Sequence, residues 1–569
     1  MNNILSQKEI KERLPLHLQK FVIDQSYDSY TELDHAKWRY VMRMTLQYAS
    51  DYAHEFFLPA LKKMNLPIDR IPRIEQVNNA VNPYGWNAVC INAFITTKTF
   101  LEFHSEKILV VATCVRTLQH LKYTPYPDLI HDILGHGPCV AFSPIERLMR
   151  YFGKLGTRAF SSRLDSELHD ALNKLSILKE EKSTNAQEIN QVSGLIDYLK
   201  ASFSEVSEME KVRRLHWYTL EYGLVGSLGT PKIYGAGLLS SIGESYKSLS
   251  HDVEKRPYTL GVYNDDFDPT QHQKKLNVIK DFESLEQLLE EFAARMAIST
   301  GGVCGLGKLI DSKDIGTLEL DHLLQITGEF ANMISFEGKP VYIESRDRVV
   351  LSVENQMLKK ASKVRSPLGI VIQCVVNDAF KDLKLLHQEL KSGDRIELHY
   401  DSGMSFEGNI ENTIIHQGVL LVIEASQHYI YNHGVKSLEG EGCTLLFGNK
   451  VNSVYAGVVD KNTFEEYEPI VSMPPLPEHS VAEKKHFVFY KELREMRLNH
   501  SIDLKRLKEI FNASIENAPK DWLIILELYE LIGASNDNFK DIVKNKLLEL
   551  AKNDDYRVLI EKGLALRIY

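Results

Sequence analysis

The chain has 569 residues, 44% of them hydrophobic and 25% charged, with a formal net charge of −10. That length predicts roughly two to four domains with a large buried core, and the negative balance speaks against nucleic acid or an anionic membrane as the main partner. Six cysteines without a C-x-x-C spacing exclude a zinc–thiolate site of that pattern and fit a reducing compartment. The N-terminal sequence lacks the apolar core of a signal peptide, and no run approaches about eighteen apolar residues, so a cytoplasmic protein is expected.

In chain order, residues 1–30 read as a polar, partly ordered segment. From Asp34, a candidate N-cap, apolar and aromatic residues recur at helical spacing; Pro59 is expected to kink or break the helix, and Leu66–Pro72 (LPIDRIP) to end it. INAFITTKTFL at residues 91–101 leads into a helix expected near Thr99, where Phe100 is either its first apolar residue or an aromatic platform for a flat ligand. Arg116 lies among apolar residues and reads as half of a buried ion pair or as an anchor for a ligand carboxylate, which its planar fork suits.

Leu129–Pro138 reads LIHDILGHGP and sets His131 and His136 five residues apart. On a regular helix five residues advance about 140° at roughly 100° each, so the rings would not share a face. Gly135 and Gly137 place the second half at a helix end or turn, where the rings could converge. Residues 146–210 follow, rich in Lys, Glu and Gln with apolar residues three and four apart: a helical hairpin bent at about Lys182–Asn185, covering a site mouth or making a subunit contact. In WYTLEYG, Trp217–Gly223, Glu221 is the one acid in an apolar run; it is satisfied by an arginine or by a metal. Two histidines and a carboxylate are the protein side of the facial triad of non-haem Fe(II) oxygenases.

Three segments, YTPYPDLIHDILGHGP at Tyr123–Pro138, WYTLEYG, and YGAGLLSSIGE at Tyr234–Glu244, resemble in order the pterin-dependent aromatic amino acid hydroxylases, nearest to the phenylalanine 4-monooxygenase group, over about residues 10–300. The resemblance implies a mainly α catalytic domain at 31–300, with a long helical insertion at about 150–208. It implies Fe(II) held by His131, His136 and Glu221, with O2 and tetrahydrobiopterin or a related reduced pterin as cosubstrate, recycled by other enzymes. The expected reaction is hydroxylation of a free aromatic amino acid, phenylalanine to tyrosine; tryptophan or tyrosine hydroxylation, or attack at another ring carbon of phenylalanine, is the alternative. By the same resemblance Ala93, Ile95, Thr97 and Phe100 form the pterin loop, and Asp132 contacts the pterin ring or orients a histidine. Arg116 anchors the substrate carboxylate with Asp128 as its partner. Thr124, Pro125 and Trp217 line the substrate side, Val278 faces the substrate, and Ser240, with Glu244 nearby, holds a ligand histidine. Tyr126 stands where the family usually carries glutamate and Val110 where the animal enzymes carry histidine. The 85 positions from His136 to Glu221 are about twice the family interval. No room is seen for the regulatory domain of the animal members, so allosteric activation of that type is not expected.

Residues 301–569 have no counterpart in that resemblance. Gly301–Leu309 reads as a linker or tight turn, 301–468 as a β-rich domain of unknown role, 469–480 as a proline-rich linker, and 481–569 as a helical domain or an oligomerisation element. A regulatory or scaffolding protein working through this half is the alternative of a different class, and a homo-oligomer is left open.

Overall fold

The computed structural model describes residues 5–92, 95–124, 126–180, 186–202, 206–269, 271–382, 386–460, 479–533 and 538–566. Ala93, Pro125, the bend of the insertion and most of the 469–480 linker lie outside the described residues.

The long helix Glu32–Tyr52 starts from a capping box: Thr31 Oγ1 accepts the Asp34 N–H, and the Asp34 carboxylate accepts the Thr31 N–H at 2.8 Å. Thr31 is therefore the N-cap, and Asp34, expected in that role, is its reciprocal partner in the first turn. Trp38, Tyr40, Val41, Met42 and Met44 are all buried, because the helix is packed on more than one side. Pro59 falls in the first turn of the next helix, Phe57–Lys63, where a missing N–H breaks no bond.

Residues 5–30, expected to be partly ordered, are packed. Ser6 caps the helix Gln7–Arg13, and Ile10, Leu14, Leu18, Phe21 and Val22 bury against the parallel strands Asn87–Ile91 and Ile108–Ala112. The four-residue spacing of Ile10, Leu14 and Leu18 outweighs the polar composition around them. The helix Glu208–His216 carries the chain towards Glu221. The Glu208 carboxylate fixes its first turn by accepting the Ala297 N–H and the Lys308 ammonium, both at 2.8 Å. After Glu221, Leu224–Val225 joins a four-stranded sheet with Lys275–Ile279, closed by the helix Phe282–Ala293. Two helices of the insertion, Arg163–Glu180 and Ala186–Ser202, share an apolar seam that includes Leu168, Leu175, Val192 and Ile196, and Lys200 ties them to Asp266 at 2.8 Å.

The glycine-rich stretch read as a linker is a helix, Gly302–Ser312. Its composition serves close packing: a Cβ at Gly305 would sit 3.0 Å from Val454. Strands then run from Gly316 to Ala456 in a twelve-stranded sheet, antiparallel except for one parallel bridge, Val364 to Thr444. "Mainly α" thus describes the first 300 residues and not the whole chain. The sheet region meets the helical part through Phe160, which enters its core, and through Arg158, whose guanidinium lies 4.1 Å from the Tyr455 ring. Among the described residues no helix is long and apolar enough to cross a membrane.

Five further helices, from Val481–Leu498 to Asp554–Leu564, return to the start of the chain and share one apolar core with it. Trp522 meets Tyr40 edge to face at 5.2 Å, and the Tyr40 hydroxyl donates to the Leu559 carbonyl at 2.6 Å. Arg39 binds Glu527 and Glu530, each at 2.7 Å, and Asp69 at 2.8 Å; Arg43 adds to Glu530 and Arg497 to Glu527. Arg39, Glu527 and Glu530 are almost completely enclosed, so removing Arg39 strands the two acids. Arg39→Ala is expected to lower stability by about 3–5 kcal/mol, whereas Arg506→Ala, at a half-exposed pair, costs under about 1 kcal/mol; urea unfolding followed by tryptophan fluorescence reads the difference.

Candidate metal centre

His131–His136 is a π-helical segment in which the Gly137 N–H bonds to the Asp132 carbonyl five residues back. This winding stacks residues five apart, so the two imidazoles converge with Nε2 atoms 3.1 Å apart. Trp217–Glu221 is a second π segment, closed by the Tyr222 N–H on the Trp217 carbonyl at 2.9 Å. Glycine lets the turn that follows Tyr234 press on both: a Cβ at Gly135 would lie 2.7 Å from the Ala236 carbonyl oxygen, and one at Gly235 would lie 2.4 Å from that of Glu221.

Glu221 completes the group, with Oε1 3.1 Å from His136 Nε2 and Oε2 3.5 Å from His131 Nε2. Bonds of about 2.1 Å at right angles set ligand atoms roughly 3 Å apart, so the triangle fits one face of an octahedral metal and leaves the opposite face open. Burial would raise the Glu221 carboxyl, but the adjoining His136, with His131 and His216, holds it well below the usual carboxylate range. Burial pushes His131 down to about 4. Burial would lower His136 too, but the Glu221 carboxylate raises it, so a divalent cation would displace a proton from that ring while finding His131 already neutral.

Behind the ligands, Ser240 Oγ donates to the Ala236 carbonyl at 2.8 Å and accepts from His131 Nδ1 at 2.9 Å, which turns the free Nε2 pair towards Glu221. Asp128 Oδ1 accepts the His131 backbone N–H at 3.0 Å, while the same carboxylate grips Arg116 through Nε at 2.9 Å, Nη2 at 2.6 Å and the backbone N–H at 2.8 Å. Arg116 Nη1 reaches the Ser240 carbonyl at 3.1 Å, and Lys37 Nζ bonds to the Arg116 carbonyl at 2.6 Å. The metal-binding segment is thus tied to the long N-terminal helix.

A cavity opens beside the triad, lined by Ile95, Thr97, Phe100, Val110, Thr124, Tyr126, Asp132, Trp217 and Ser240 among others. Asp132 Oδ2 accepts the Ala112 N–H at 2.7 Å, and burial pushes this carboxyl up to about 7. The Phe100 ring stands 5.7 Å from that of His136 and 5.8 Å from that of His216.

Residues 23–155 and 166–300 match the model of the biopterin-dependent aromatic amino acid hydroxylases. The matched residues make up just under half of the chain and resemble the hydroxylase domain of that family. The chain is therefore an enzyme. Relatives include phenylalanine-4-hydroxylase of Pseudomonas aeruginosa, 27% identical over 279 residues, which span 47% of this chain and 86% of that protein. Phenylalanine 3-hydroxylase of Streptomyces coeruleorubidus is 24% identical over 266 residues, 46% and 78% of the two chains. A crystal structure of phenylalanine hydroxylase from Chromobacterium violaceum, holding iron(III) and 7,8-dihydrobiopterin, aligns at 22% identity over 52% of this chain and 95% of that one, with a TM-score of 0.37.

Within residues 23–300, ten of the residues expected at the site meet in one place: His131, His136, Glu221, Ile95, Thr97, Phe100, Thr124, Asp132, Trp217 and Ser240. Arg116 and Asp128 do not reach the cavity surface; both are fully buried behind His131. Val278 is buried in its strand and does not line the cavity, and Glu244 touches His272 and the Gln273 N–H, away from the ligands. Arg213 and Phe267 line the cavity without having been expected there. Arg213, Trp217 and Glu221 are spaced by four, a stripe that could have pointed to the arginine. Phe267 lies in a loop with no such pattern.

Ser240→Ala is expected to weaken metal binding about 10–100-fold, measured by competition with a chromophoric chelator. Burial also holds His35, His169, His216 and His428 near 4, as it does His131. Between about pH 4 and 6.5 the unfolded chain takes up protons that these five folded rings refuse, so stability of the metal-free protein rises with pH in that window. Asp132 and Asp165 oppose this, since burial raises both carboxyls and the folded chain keeps protons that the unfolded one loses, but they are outnumbered by the rings. The urea midpoint should therefore climb from pH 4.5 to 6.5.

Proposed function

We propose that the protein hydroxylates free phenylalanine to tyrosine, with Fe(II), O2 and a tetrahydropterin cosubstrate. The observation that carries this reading is the His131–His136–Glu221 triangle facing a cavity with aromatic walls inside a biopterin-dependent hydroxylase domain. Phenylalanine as substrate is supported by the relatives named phenylalanine-4-hydroxylase. The relative named as a 3-hydroxylase makes attack at the neighbouring ring carbon the second reading.

His131, His136 and Glu221 hold the iron, and Ser240 fixes the His131 tautomer. The bound iron and the reduced pterin together supply the activation of oxygen. Phe100 offers an aromatic face to the pterin, and Asp132, which lines the same cavity, offers its carboxyl group to the ring nitrogens. Thr124 and Trp217 bound the space for the amino acid ring, and the apolar lining keeps water from the reacting atoms. Arg116 and Asp128 work from behind, holding the segment that carries His131. In this reading the C-terminal helices are a structural part of the hydroxylase, and the sheet region between is a separate domain.

The test is anaerobic loading with Fe(II), followed by O2, tetrahydrobiopterin and each aromatic amino acid in turn, with mass analysis. Tyrosine from phenylalanine is expected, and none from Glu221→Ala. 3-Hydroxyphenylalanine alone would select the second reading, and no hydroxylated product from a protein with one bound iron would overturn both.

A further inference from the structure

One cation in the cavity wall has no part in the roles given so far. Arg213 lies on the helix that leads to Glu221, lines the cavity, and keeps its side chain 21% exposed. Its guanidinium is held in place: Nε and Nη2 donate to Glu210 at 2.6 and 2.9 Å, and its central carbon lies 4.6 Å from the Phe267 ring. Phe267 stacks on Trp217 at 4.2 Å and 14°, and Trp217 on Tyr222 at 4.4 Å, so the arginine caps an aromatic stack that forms one wall. A guanidinium has five N–H donors, and Glu210 takes two of them.

The acids around this group are shared with other partners. Glu210 also accepts from Arg214 Nε at 2.7 Å, and Asp266 is shared between Lys200 at 2.8 Å and Arg214 at 3.8 Å. Arg213, Arg214 and Lys200 thus share Glu210 and Asp266, and Asp165, which accepts the Ser162 N–H and the Ser207 hydroxyl at 2.6 Å, adds its charge without bonding to Arg213. Arg116, the other arginine of the site, is fully buried against Asp128 and has no surface on the cavity. An arginine pre-oriented by a carboxylate and a ring, with spare N–H groups at a cavity wall, is built to take a carboxylate in a forked pair.

We propose that Arg213 recognises a ligand carboxylate at the cavity wall and thereby sets which ligand the enzyme accepts. The inference rests on the hydroxylase reading for its ligands, and the carboxylate has two sources: the α-carboxylate of the amino acid, or a glutamyl carboxylate on the tail of the pterin cosubstrate. Glu210 keeps Arg214 as a partner when Arg213 is replaced, so Arg213→Gln strands no buried acid.

The test is calorimetric binding to the full-length protein, with two matched pairs: L-phenylalanine against L-phenylalaninamide, and tetrahydrofolate against 6-methyltetrahydropterin under anaerobic conditions. The wild type should prefer the carboxylate-bearing member of one pair by about ten- to a hundredfold, the scale of a charge-assisted contact. Arg213→Gln should erase that preference and Arg213→Lys retain part of it. Loss within the first pair assigns the amino acid, and loss within the second assigns the cosubstrate. A wild type without preference in either pair, or an Arg213→Gln variant that keeps it, overturns the proposal. Binding is read without turnover: carboxylate preference that depends on Arg213, in a protein that forms no hydroxylated product, would refute the hydroxylase reading and leave the recognition site standing.

Discussion

Two imidazoles and an ionised carboxylate, 3.1–3.5 Å apart and largely buried, form a charged group that only a cation, a proton on His136 or a metal, can balance. The architecture around them serves to keep that unfavourable group together. Two π-helical segments aim the side chains, glycines at 135 and 235 let a single turn brace both, and the Arg116–Asp128 pair fixes the backbone on which His131 rides. Each of these devices is rigid and desolvated. The ligand geometry is therefore set by the fold before metal arrives.

That His131, His136 and Glu221 belong together was legible in the sequence, but the reason they meet was not. A period of 3.6 residues separates His131 from His136 by a large angle, and the expectation of a helix end or turn supplied the wrong remedy. The i→i+5 winding that solves the problem leaves no periodic signature in so short a run. Gly135 and Gly137 did mark the right place, for a different reason: they admit Ala236 and Met64 at distances no side chain allows. The same physics misled at Gly301–Leu309, where glycines that read as a linker permit a helix to press on a strand.

Burial was the other quantity the sequence could not rank. Arg116, in an apolar stretch, and Arg213, in the charged run EMEKVRRLH, both have acids to pair with. One is sealed behind a histidine and the other is set in the cavity wall, a difference made by segments more than fifty positions away, such as Ser240 for Arg116 and Phe267 for Arg213. At the N-terminus, three leucines and isoleucines in four-residue register within a polar stretch were enough to bury a segment whose composition suggested otherwise.

The helices that close the core arrive late. Arg39 meets Glu527 across 488 positions, and Tyr40 meets Leu559 across 519. At about 5–20 residues added per second, the ribosome delivers those partners roughly 25–100 s after residues 39 and 40. Throughout that interval the long helix Glu32–Tyr52 presents the flank that Trp522 later covers, together with two arginines, to the cell. Lys37 on that same helix holds the Arg116 carbonyl. The segment that carries His131 and His136 therefore leans, through Lys37, on a helix whose own covering partners are the last part of the chain to be made.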